Sequence, residues 1–117
     1  MHELGIVQDL VELAEEELAH RGGGGPVVSL TVRVGLLSGV NPEAMEFAFE
    51  IVAPSSRLGK ARLKIITDRP ILTCCICGHK VELDDLALEC PACGRDEVEI
   101  SGGRDLILES ITLENQS

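Results

Sequence analysis

The sequence predicts an α+β fold: two helices packed on a three-stranded sheet, with a small module inserted between two of the strands. Three observations carry that expectation. Apolar residues recur at three- and four-residue steps in the first segment, a cleanly alternating segment follows a glycine-rich break, and two Cys-x-x-Cys pairs lie between two further strand-like segments.

The first segment, "HELGIVQDLVELAEEELAHR", places Leu4, Val7, Leu10, Val11, Ala14 and Leu18 on one stripe, while Gln8, Glu12, Glu15, Glu16 and His20 fall mostly on other faces. That is an amphipathic helix. It ends in "GGGGP", and His20 near its C-terminus complements the helix dipole. In "VVSLTVRVG" the alternation assigns Val28, Leu30, Val32 and Val34 to a buried face and Ser29, Thr31 and Arg33 to the other. Next, Asn41 is a natural N-cap with Pro42 at the first helical position, and Pro54 limits the helix to about 42–52. Apolar residues cover most of that helix's circumference, so it is expected to be buried on more than one side, with Met45, Phe47 and Phe49 in the core. Two more strands are expected at about 61–68 and 105–113. The division is then a main domain from 1–70 and 104–117, with 71–103 inserted.

The inserted stretch contains Cys74 and Cys77, then Cys90 and Cys93, each pair followed by a glycine, Gly78 or Gly94. Each Cys-x-x-Cys-Gly turn can aim two thiolates at one ion, and two such turns close a tetrahedral Zn(II) site with Zn–S distances of about 2.3 Å. Twelve residues separate the pairs, enough for a short hairpin. A closed four-sulfur shell leaves no position for a substrate, so the role expected of this zinc-ribbon-like module's metal is structural. A redox dithiol or an iron–sulfur site is the competing reading of the same spacing. Cys75 lies inside the first turn, off the tetrahedron, and reads as a passenger cysteine or a local packing residue; His79 reads as a surface residue.

Acidic residues number 20 against 10 Lys and Arg, for a net charge of −10, and Trp and Tyr are absent. Such a surface repels a polyanion and offers no stacking platform, which argues against nucleic-acid binding. No apolar run is long enough for a membrane span, and no basic stretch precedes an apolar one at the N-terminus, so the expectation is a cytoplasmic protein with reduced cysteines.

The start "MHELG" puts a histidine directly after the initiator methionine. Histidine is too large for ordinary methionine removal, so the α-amine of Met1 stays beside the imidazole of His2. Amine, imidazole and nearby backbone amides form a planar nitrogen set suited to Ni(II) or Cu(II) rather than to tetrahedral zinc. Read alone, His2 is more readily a frayed end than a ligand.

Taken together, the Met-His-Glu start, the block "LSGVNPEAMEFAFEIV", and the late Cys-x-x-Cys-Gly pairs followed by "RDLILESITLEN" resemble the HypA/HybF family of nickel metallochaperones for hydrogenase maturation. The resemblance spans essentially the whole chain. It implies a nickel-binding α/β domain made from both ends of the chain, a separate zinc domain, and delivery of Ni(II) with the GTPase HypB to the hydrogenase large subunit, with urease a further customer in some members. It also implies a nickel site at Met1 and His2, with Glu3 contributing backbone nitrogen or a carboxylate outside the ligand shell. Certain relatives place a histidine directly after each cysteine pair; here Gly78 and Gly94 stand in those places. No nucleophile with its base, phosphate loop or open metal site is present, so the expectation is a binding and transfer protein, not an enzyme. The alternatives are a zinc-ribbon adaptor that only bridges proteins and a dithiol oxidoreductase.

Overall fold

A computed structural model of the chain describes residues 2–22 and 25–114. In order, the elements are α1 (His2–Arg21), β1 (Val27–Gly35), α2 (Pro42–Val52), one 3-10 turn (Ala53–Ser55), β2 (Arg62–Asp68), β3 (Ile71–Cys74), β4 (Lys80–Glu82), β5 (Val98–Ser101) and β6 (Leu106–Leu113). Two compact units result, one from 1–33, 41–66 and 107–117, the other from 34–40 and 67–106.

In the first unit, α1 buries Val7, Leu10, Val11, Ala14 and Leu18, the stripe its spacing predicts. Asn41 caps α2 as expected: its side-chain oxygen accepts from Glu43 N at 2.9 Å and Ala44 N at 3.3 Å, satisfying donors that the helix cannot. Two carboxylates then tie the helices together. Glu3 Oε2 accepts from Asn41 N at 3.2 Å at the start of α2, and Glu15 Oε2 accepts from Arg57 N at 3.1 Å just past its end. The helices therefore lie side by side and run the same way. The sheet has the order β2-β1-β6, with Leu30, Val32 and Val34 of its central strand buried. Arg33 links β1 to β6 through Nε and Nη2 to Glu109 Oε1, at 3.1 and 2.6 Å.

Two burial expectations are corrected. In α2 only Met45, Ala48 and Phe49 are buried, whereas Phe47 is 57% exposed and Ile51 54%. Positions 45, 48 and 49 make one stripe of a 3.6-residue helix, and 47 and 51 project from another side. At the start of β1, Val27, Ser29 and Leu30 are buried and Val28 is not. The alternation changes phase between Ser29 and Leu30, so the simple two-residue period holds only from Leu30 onward.

In the second unit β3 is the centre of a sheet ordered β4-β3-β5, antiparallel on both sides, with Leu72 opposite Val81 on one neighbour and Ile100 on the other. The hairpin expected between the cysteine pairs is replaced by this arrangement: β4 pairs backward with β3, which ends at Cys74 itself. Its buried apolar side chains are few, Val34, Pro70, Leu72 and Leu83, together with Cys74 and Cys90. Arg69 adds an ion pair to Asp84 across the same hairpin.

The stretch after β1 is held tightly within this unit. Gly35 N donates to Asp105 O at 2.7 Å, Leu36 N to Asp68 O at 2.9 Å and Leu37 N to Gly103 O at 2.6 Å. A Cβ on Gly35 would collide with the Gly103 carbonyl, which is backbone and cannot swing aside. Gly35→Ala is expected to destabilise the protein by about 1–3 kcal/mol. Urea unfolding of the variant beside the parent measures it.

Candidate metal centre

The cysteine cluster is assembled from two turns built on one plan. Cys74 O accepts from Gly78 N at 3.1 Å, and Cys74 N donates to His79 O at 2.9 Å; Cys90 O accepts from Gly94 N at 2.7 Å, and Cys90 N donates to Arg95 O at 2.8 Å. The chain must reverse after the second cysteine of each pair, and Gly78 and Gly94 do so at φ +78° and +76°. A side chain at these places meets no steric obstacle but would strain the backbone, a cost that glycine avoids.

The two turns face each other. Cys74 Sγ lies 3.6 Å from Cys93 Sγ, and Cys77 Sγ lies 3.7 Å from Cys90 Sγ. All four sulfurs fall within 4.8 Å of one another. Sulfurs bound to zinc at about 2.3 Å form a tetrahedron with edges of roughly 3.8 Å, so the cluster fits a structural zinc site. These separations are far beyond the ~2.05 Å of a disulfide, and all five cysteines are free thiols.

The thiols do not ionise alike. The backbone N–H groups of Cys77 and Ile76, both 3.4 Å from Cys74 Sγ, pull that thiol down to about 6 against the opposing effect of desolvation. At Cys77 the His79 backbone pulls downward, but desolvation and the neighbouring Cys74 and Cys90 sulfurs outweigh it and the thiol is raised. At Cys93 the Arg95 backbone is likewise outweighed, by desolvation and by the other three sulfurs, and the thiol is pushed up to about 12. One thiolate forms readily; further negative charge beside it is resisted until a cation compensates.

Cys75 is exposed and outside the cluster, with its backbone N–H donating to Glu97 O at 2.8 Å. His79 is also exposed, and its carbonyl closes the first turn. At the other candidate site, His2 is the exposed first residue of α1. Met1 lies outside the described residues. Glu3 has its carboxyl held below the ordinary range, first by the Asn41 N–H and then by its own backbone. The Glu3–Asn41 link spans 38 positions, and no local sequence signal marks it.

Comparison with known proteins gives consistent findings. The family described as "Hydrogenase/urease nickel incorporation, metallochaperone, hypA" matches residues 1–113. The hydrogenase maturation factor HypA of Francisella philomiragia is 37% identical over 95% of this chain and 97% of its own length. That of Aquifex aeolicus is 35% identical, covering 97% and 98% respectively. A solution structure of the nickel metallochaperone HypA from Helicobacter pylori superposes with a TM-score of 0.64 at 25% identity, over 97% of this chain and 98% of that one.

Proposed function

Because the chain belongs to the HypA hydrogenase/urease nickel-incorporation metallochaperone family, we propose that it binds Ni(II) at its N-terminus and delivers it, with the GTPase HypB, to the large subunit of a [NiFe]-hydrogenase. The family description extends nickel incorporation to urease as well. The observation that supports this most directly is His2, exposed at the first turn of α1. The leading N–H groups of a helix have no intrahelical acceptor, so the backbone nitrogens of His2 and Glu3 can release their protons to solvent and bind an ion without breaking a helix hydrogen bond. With the Met1 amine and the His2 imidazole they complete a planar nitrogen set. The Glu3 carboxylate, engaged with Asn41 N, supports the site from outside.

In this reading Cys74, Cys77, Cys90 and Cys93 hold Zn(II), which keeps the second unit folded and takes no part in transfer. The protein is not an enzyme; it holds and releases an ion in the cytoplasm, where thiols stay reduced. Among the described residues no helix is long and apolar enough to cross a membrane. Metal analysis of untagged protein tests the reading: zinc should co-purify, and Ni(II) should bind in addition. A zinc-loaded protein whose affinity for nickel is no better than a random peptide's would instead be a zinc-ribbon adaptor.

The acidic face of α1 bears on the GTPase. Of the three glutamates that the sequence sets off the apolar stripe, Glu12 and Glu16 are exposed, while Glu15 is half-buried and accepts from Arg57 N. A basic surface on the GTPase would be steered by this charge. Glu12→Lys with Glu16→Lys is expected to slow association several-fold at low salt and little at high salt, in stopped-flow mixing with purified GTPase.

A further inference from the structure

The outer side of α2 is apolar where a free surface gains nothing from being so. Phe47 and Ile51 stand one helical turn apart, both more than half exposed, and Phe47 is one of only two aromatic residues in the chain. Glu43, Glu46 and Glu50 are exposed on the same helix, which carries no lysine or arginine, and Arg62 of β2 is the cation that lines one depression with Glu46 and Glu50. An apolar pair framed by carboxylates fits an occupant with an apolar cleft and a positively charged rim. A second copy of this chain is a poor match, because an isologous contact would bring these glutamates against their own equivalents in a protein of net charge −10.

We propose that Phe47 and Ile51 are the anchor by which the protein holds its GTPase partner, entering an apolar cleft whose rim carries Lys or Arg. This rests on the partner reading above and supplies what steering cannot. Long-range charge on Glu12 and Glu16 sets how often the two proteins meet, whereas a buried aromatic anchor sets how long they stay together.

Surface plasmon resonance with immobilised GTPase separates the two. Phe47→Ser with Ile51→Ser is expected to raise the dissociation rate about tenfold or more, with the association rate little changed. Val28→Ser, which removes an apolar side chain 46% exposed on β1, should alter neither rate. In the parent protein, the Ile51 methyl resonances should shift when GTPase is added. A dissociation rate indifferent to the double substitution, an equal effect from Val28→Ser, or Ile51 methyl signals that stay in place would overturn the anchor and leave the partnership standing. Selective loss of binding to the hydrogenase large subunit would assign the face to that protein instead. A parent protein that does not bind the GTPase at all would remove both.

Discussion

Replacing Cys74, Cys77, Cys90 or Cys93 singly with serine is expected to release the metal and unfold the second unit, while Cys75→Ser leaves both intact. The expectation follows from how little else holds that unit together. Its buried apolar side chains are Val34, Pro70, Leu72 and Leu83, and two of the cysteines, Cys74 and Cys90, are themselves part of its interior. Zinc in sites of this kind contributes apparent free energies of about 10–16 kcal/mol near neutral pH, well above what a few leucines provide at ~1.5–3 kcal/mol each. Once the metal is released, no cation is left to compensate charge on the remaining sulfurs, the condition under which the Cys77 and Cys93 thiols are raised and resist ionising. Zinc content by mass spectrometry and amide exchange across β3, β4 and β5 measure the outcome. X-ray absorption finding fewer than four sulfurs around zinc in the parent would contradict the assignment. Affinity should fall as pH falls, since protons compete for the same sulfurs.

The second large effect is expected at the other end. A Gly-Ser extension before Met1 should abolish tight Ni(II) binding, because it turns a primary amine into an amide and moves His2 off its chelate ring. His2→Ala should do the same. Neither change touches the apolar stripe from Val7 onward, so zinc content, circular dichroism and melting behaviour should match the parent. The diamagnetic, square-planar nickel spectrum expected of strong in-plane nitrogen donors should disappear in both. Calorimetry on untagged, extended and His2→Ala protein decides it: equal nickel affinity in all three makes the histidine a plain helix end.

The sequence was most legible where physics is local. The α1 stripe, the Asn41-Pro42 cap and the cysteine spacing each depend on residues within a turn or two of one another, and each reads directly into the structure. β3 and β5 were missed because they are four residues long and exist only by pairing with each other and with β4. The exposure of Phe47 was misjudged for a related reason: hydrophobicity tells which side chains could be buried, and only tertiary packing tells which faces have something to be buried against. The carboxylate links from Glu3 and Glu15 to α2 and its following turn belong to the same class. Their spacings of 38 and 42 residues leave no trace in a local pattern.

The strand order β2-β1-β6 has a consequence for the order of assembly. Arg33 and Glu109, which pair across β1 and β6, are 76 residues apart, so during synthesis β1 leaves the ribosome long before its partner exists. Until then one edge of β1 is open to mispairing. The intervening segment, once it has captured zinc and folded, turns most of that long connection into a compact body and shortens the flexible loop that must close. Metal capture by the second unit would then govern how fast the β2-β1-β6 sheet closes, although the four sulfurs belong to none of its strands.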